Sequence, residues 1–115
     1  MNAPDEVPLE VSCETVRQMM QSEVDFTLLD CRERDEWELV RIEPAQLIPM
    51  SELQERLSEL GSDYSRNIIV YCHHGIRSRH VAAWLRSESE FHNVQSMTGG
   101  IDAWSVRLDP SLPRY

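Results

Sequence analysis

The stretch Asn67–Ser78, NIIVYCHHGIRS, decides how this chain is read. Asn67–Tyr71 (NIIVY) is a continuous β-branched and aromatic run, the composition of a strand buried on both faces of a parallel sheet. CHHG reads as a turn, and a helix follows through about Ser87 with Val81, Trp84 and Leu85 as its apolar stripe. In open α/β sheets, ligands bind beyond the carboxyl ends of the strands. Cys72 falls at that place.

Upstream, Pro8–Val11 reads as a short strand, and Ser12 as the N-cap of a helix through about Gln21 with Val16, Met19 and Met20 on one face. Phe26–Cys31 is a buried strand, Glu33–Val40 a short helix and Gln46–Ile48 a brief strand. Ser51 opens SELQ, a capping box for a helix with Leu53, Leu57 and Leu60 at helical spacing, stopping at Gly61. Downstream, Val94–Met97 is the last strand, and Gly99–Gly100 opens a final turn or helix carrying Ile101 and Trp104. Trp37, Trp84 and Trp104 are assigned to core packing. Strands alternating with helices predict an α/β fold, a parallel sheet covered on both faces.

A length of 115 residues suits one domain over 1–115, with a core of about 9–107 and a tail at 108–115. Such a chain buries enough surface to fold without a disulfide or metal. Acids outnumber bases 20 to 11, for a formal charge of −9. That balance repels phosphate backbones and anionic lipid, so neither nucleic acid nor membrane is an expected partner. Every base is Arg, which excludes Schiff-base and Walker-type lysine chemistry. No apolar run approaches the ~20 residues of a membrane helix, and MNAPDEVP lacks the basic and apolar regions of a secretory signal. Three cysteines, Cys13, Cys31 and Cys72, suit a reducing, cytoplasmic setting better than a disulfide framework.

One window departs from the acidic pattern. Tyr64–Ser87 has no Asp or Glu but holds Arg66, Arg77, Arg79 and Arg86, with His73, His74 and His80. Its +4 leaves −13 on the rest, and a positive island in an acidic chain points to an anionic ligand or reaction centre. Between a strand end and a helix start, successive backbone N–H groups form an anion-holding nest, and the helix terminus adds partial positive charge. A thiol there is stabilised as thiolate and becomes reactive. Gly75 lets the backbone turn inward, and Arg77 fixes the loop or binds an incoming anion. Adjacent Cys72, His73 and His74 diverge and lack CxxC or HxxxH spacing, so no metal is expected.

Four patches resemble single-domain members of the rhodanese, or thiosulfate sulfurtransferase, family: LLDCRERDEWELVRI (Leu28–Ile42), AQLIPMSEL (Ala45–Leu53), VYCHHGIRS (Val70–Ser78) and GGIDAW (Gly99–Trp104). The resemblance spans about Leu9 to Trp104 and implies a five-stranded parallel sheet flanked by helices. It implies that Cys72 takes sulfane sulfur as a persulfide and passes it to a thiophilic acceptor, without a cofactor. His73, His74, Gly75, Ile76, Arg77 and Ser78 then form the substrate cradle, and Asp30 and Arg32, matching a DxR element, support it. The implied partners are a small anionic donor such as thiosulfate and a sulfur-carrier protein or cysteine desulfurase. The tail LDPSLPRY (Leu108–Tyr115) resembles the end of rhodanese domains fused to enzymes that activate sulfur carriers.

There are departures. Arg41-Ile42-Glu43-Pro44-Ala45 stands where the family often has His-Ile-Pro-Gly-Ala, a change expected to alter substrate access. Cys31 stands where an apolar residue such as Val is usual, and reads as a Val substitute rather than a resolving thiol. His73 and His74 are read either as loop electrostatics or as solvent-exposed. The acidic stretch Glu33–Glu43 reads as a solvated helix face. The rivals are a cysteine phosphatase or arsenate reductase and a non-catalytic rhodanese-like interaction module. The former places five residues between Cys and Arg against four here, and usually needs an Asp acid that this loop lacks; the latter typically lacks the loop cysteine.

Overall fold

The computed structural model describes residues 7–115, so the MNAPDEVP stretch read as no secretory signal lies almost entirely outside the described residues. Five strands, β1 (Glu10–Val11), β2 (Thr27–Asp30), β3 (Gln46–Leu47), β4 (Ile68–Tyr71) and β5 (Val94–Met97), form one parallel sheet in the order β1-β5-β4-β2-β3. Four α-helices cover it: α1 (Cys13–Gln21), α2 (Arg34–Leu39), α3 (Ile76–Glu88) and α4 (Gly100–Arg107). Among the described residues, no helix is long and apolar enough to cross a membrane.

Side chains of a strand alternate between its faces, and β4 shows this directly. Ile68 and Val70, with Cys72 beyond the strand end, join a core shared with Val81, Ala82 and Leu85 of α3. Ile69 and Tyr71 join a second core with Val16 of α1 and Ile101 and Trp104 of α4. In β2, Leu29 and the following Cys31 face the first core while Leu28 faces the second. The expected N-cap of α1 forms, with the Thr15 amide donating to Ser12 Oγ at 3.1 Å.

The helix expected after Ser51 does not form. Two 3-10 turns, Met50–Glu52 and Leu57–Leu60, take its place. Ser51 Oγ donates to Glu33 Oε1 at 2.9 Å and so caps nothing, while Pro49 starts the first turn. Leu53 and Leu60 are nonetheless buried in the first core, so packing on the sheet overrides local helix preference. Trp37 also differs from expectation. Helix α2 buries none of its residues, and the Trp37 ring lies under the Arg41 guanidinium at 4.7 Å instead of in the core.

Residues 108–115 pack onto the domain. Leu112 joins the second core, and its carbonyl accepts from Ser105 Oγ at 2.6 Å. Arg114 pairs with Asp102 at 2.8 Å.

Candidate active site

Cys72 follows the last residue of β4, and the loop after it turns through Gly75 into α3. Gly75 has φ +99°, and a Cβ there would lie 3.0 Å from the Gly99 amide nitrogen, so both backbone conformation and space favour glycine. The first turn of α4 holds the loop from behind. The Ile101 amide donates to the Cys72 carbonyl at 2.8 Å, and that of Asp102 to the His73 carbonyl at 3.1 Å. Gly100, at φ +62°, permits this approach, because its Cβ would fall 2.4 Å from both carbonyl oxygens. With its carbonyls bound outward, the loop aims amides inward.

Those amides meet the sulfur. Gly75 N donates to Cys72 Sγ at 3.1 Å and Ser78 N at 3.3 Å. Ser78 Oγ lies 3.4 Å from Sγ and 2.7 Å from Ser96 Oγ on β5, so as Ser78 donates to a thiolate, Ser96 can donate to Ser78. Cys31, which follows β2, faces the same core beside Cys72. These contacts, led by Cys31, hold the Cys72 thiol well below its ordinary pKa despite burial. The residue is 1% exposed, covered by amides and hydroxyls on one side and core on the other. Among the described residues, the amides of His73, His74, Ile76 and Arg77 donate to no protein acceptor.

Arg77 is held by Glu36. Its Nη1 and Nη2 donate to the two carboxylate oxygens of Glu36 at 2.8 and 2.9 Å, tying α3 to α2. Glu36 therefore departs from the solvated acidic face expected of its stretch, and Arg77, followed by the Tyr115 hydroxyl, pulls its pKa down to about 2. The positive island is likewise matched by acids from outside its window. Arg66 pairs with Asp25 at 3.0 Å and Arg79 lies 4.0 Å from Glu10, while Arg86 donates to the carbonyls of Val94 and Val7.

Asp30 and Arg32 form a fully buried pair beside the loop. The Asp30 carboxylate accepts from Arg32 N, Nε and Nη2 at 2.9, 3.0 and 2.7 Å and from the Tyr71 hydroxyl at 2.9 Å. Arg32 Nη2 also donates to the Val40 carbonyl, and Nη1 to the Tyr115 hydroxyl at 2.8 Å. The pair thus fastens the C-terminal end of α2, whose Glu36 holds Arg77.

His73 and His74 separate in character. The His73 ring stacks on Tyr115 at 3.8 Å, with Nε2 buried and unpartnered, and burial followed by the neighbouring His74 lowers its pKa. His74 is exposed, with Nδ1 3.9 Å from Asp102, and Ile76 is exposed at the loop rim. In the departing segment 41–45, Arg41 pairs with Glu43 at 2.9 Å and Ile42 is buried, with its amide donating to the Tyr71 hydroxyl. Sequence reasoning did not find Glu36, Ser96 or Tyr115, which meet the loop only through the fold.

Against known proteins, the chain is 36% identical over 82 residues to the thiosulfate sulfurtransferase GlpE of Coxiella burnetii, covering 71% of this chain and 74% of GlpE. It is 33% identical over 102 residues to the "Probable adenylyltransferase/sulfurtransferase MoeZ" of Mycobacterium tuberculosis. That match covers 87% of this chain but spans only 25% of MoeZ. The human single-domain sulfurtransferase TSTD1 superposes with a TM-score of 0.77 over 88% of this chain and 98% of its own; at 22% identity the likeness is one of fold. The rhodanese-like domain model matches residues 12–107, spanning the whole site from Asp30 to Asp102, and the chain belongs to the rhodanese-like domain family.

Proposed function

We propose that this chain is a rhodanese-type sulfurtransferase that carries sulfane sulfur on Cys72 between a thiosulfate or persulfide donor and a thiophilic acceptor. The observation that carries this reading is the convergence of Gly75 N, Ser78 N and Ser78 Oγ on Cys72 Sγ within 3.1–3.4 Å. Such donors stabilise the thiolate needed for attack and cost no reorganisation during reaction. The thiolate attacks the outer sulfur of thiosulfate, the sulfur–sulfur bond breaks, and sulfite leaves with the electron pair. A nucleophile such as cyanide or a protein thiolate then takes the outer sulfur, and the Cys72 thiolate returns. Amides of the loop not engaged by the protein are placed to hold the negative outer sulfur of the intermediate. Arg77 acts through Glu36 to fix the loop, and its guanidinium N–H groups not bound by Glu36 are donors for an incoming anion.

The phosphatase reading is weaker, because four intervening residues make a smaller cradle and the neighbouring acid, Glu36, is bound by Arg77 on both oxygens. The donors converging on Cys72 weigh against a purely non-catalytic interaction module. Residues 1–115 are taken as one domain working in the cytoplasm, with a cysteine desulfurase or sulfur-carrier protein as partner.

The test is steady-state turnover with thiosulfate and cyanide. Covalent relay predicts ping-pong kinetics with parallel double-reciprocal lines. Cys72→Ser is expected to fold and lose turnover. Retained turnover contradicts the mechanism, and aryl phosphate hydrolysis lost in the same variant supports the phosphatase instead.

A further inference from the structure

We propose that Cys31 is a resolving thiol for sulfur-loaded Cys72: it expels the carried sulfur as hydrosulfide and closes a Cys31–Cys72 disulfide, adding reductive sulfide release to sulfur transfer. The inference rests on the carrier role of Cys72 proposed above. Strands β2 and β4 are paired in parallel with Asp30 opposite Tyr71, so the next residues, Cys31 and Cys72, are adjacent across the ladder. The Cys31 amide still donates to the Tyr71 carbonyl at 3.1 Å, which holds that register at the pair. Paired strands lie about 4.8 Å apart, inside the ~4.4–6.8 Å separation of Cα atoms that a disulfide spans.

Both side chains face the first core from these adjacent positions. Cys31 is 0% exposed, so the sulfur it can reach is that of Cys72 and not a solution electrophile. The approach direction is also suitable. The amides of Gly75 and Ser78 reach Cys72 Sγ from the loop, where a carried sulfur would project, and Cys31 reaches it from the neighbouring strand. Displacement at Sγ therefore has its nucleophile and leaving group on different sides.

The step balances. The Cys31 sulfur forms a bond to Cys72 Sγ, the bond from Sγ to the outer sulfur breaks, and the outer sulfur leaves with that electron pair and the Cys31 proton as hydrosulfide. The two cysteine sulfurs become a disulfide while the carried sulfur is reduced to sulfide. An external dithiol reductant restores both thiols by thiol–disulfide exchange. The neighbouring Cys72 sulfur, followed by burial, raises the pKa of Cys31 in the unloaded protein. Its proton is therefore available to the departing sulfur.

The experiment loads wild type and Cys31→Val with thiosulfate, removes the excess, withholds any acceptor, and follows intact mass and released sulfide. In wild type, the adduct one sulfur heavier is expected to give way to a chain two hydrogens lighter than the reduced protein, with one equivalent of sulfide. Digestion without reduction should then join the Cys31 and Cys72 peptides and leave Cys13, buried in the other core, as a free thiol. Cys31→Val should keep its adduct and release no sulfide. A wild-type adduct that persists without linked peptide overturns the inference, and does so whether or not the variant folds. Absence of any adduct from both proteins overturns the carrier reading, and this inference with it.

Discussion

Replacing Asp30 by Asn exchanges one oxygen for an NH2 group and tests the support beneath the site. Asp30 and Arg32 are both 0% exposed, and the carboxylate accepts from four donor groups, three of Arg32 and one of Tyr71. Asp30→Asn leaves the guanidinium buried without a counter-charge and sets an NH2 among donors. Breaking a buried pair from one side costs about 3–5 kcal/mol, against a total stability of about 5–15 kcal/mol for a domain. With a urea dependence of roughly 2 kcal/mol per molar, the unfolding midpoint should fall by roughly 2 M. Removing both charges, in Asp30→Asn with Arg32→Met, should recover much of this loss, because a buried pair replaced as a unit is often neutral. Recovery will be partial, since the Val40 carbonyl and Tyr115 hydroxyl lose their Arg32 donor. Equilibrium urea unfolding of the three proteins decides it. A cost below about 1 kcal/mol for Asp30→Asn, or a double variant no more stable than it, would refute the reasoning.

Gly100→Ala should displace the loop, because its Cβ would sit 2.4 Å from the Cys72 and His73 carbonyl oxygens at φ +62°. The left-handed conformation alone costs ~1–2 kcal/mol, so thermal unfolding should fall and turnover should drop with it. Ser78→Ala removes one donor to the Cys72 thiolate; a hydrogen bond to a charged group contributes about 1.5–3 kcal/mol, so alkylation should titrate about one to two pH units higher. Glu36 has a folded pKa of about 2 against an ordinary 4.5, so its contribution is complete above pH 4.5 and is lost as pH falls toward 2. Urea midpoints measured across that window should fall more steeply in wild type than in Glu36→Gln.

The sheet was legible because its central strands are β-branched runs bounded by turns, as in Ile68–Tyr71, and the loop because a cysteine, a glycine and an arginine follow one of them. The turns at 50–60 were misread because leucine spacing fits a helix as well as two 3-10 turns laid over a sheet edge. The positive window is partly balanced in the fold, because charge summed along the chain omits acids brought by other elements, Glu36 and Asp25 among them. Tyr115 carried no local signal: it reaches His73 and Glu36 because the tail folds back along α4. The nearness of Cys31 to Cys72 was derivable in principle, since both follow strands that a parallel register brings side by side, but the register itself had to be seen.

The account rests on a sulfur held as an anion by the loop. Thiolate absorbance across pH, compared between wild type and Cys72→Ser, assigns to that group the low-pH transition that the substitution removes. The structure predicts a Cys72 transition well below the ordinary thiol range and a Cys13 transition above it. A Cys72 transition at or above the ordinary thiol value would contradict the central claim.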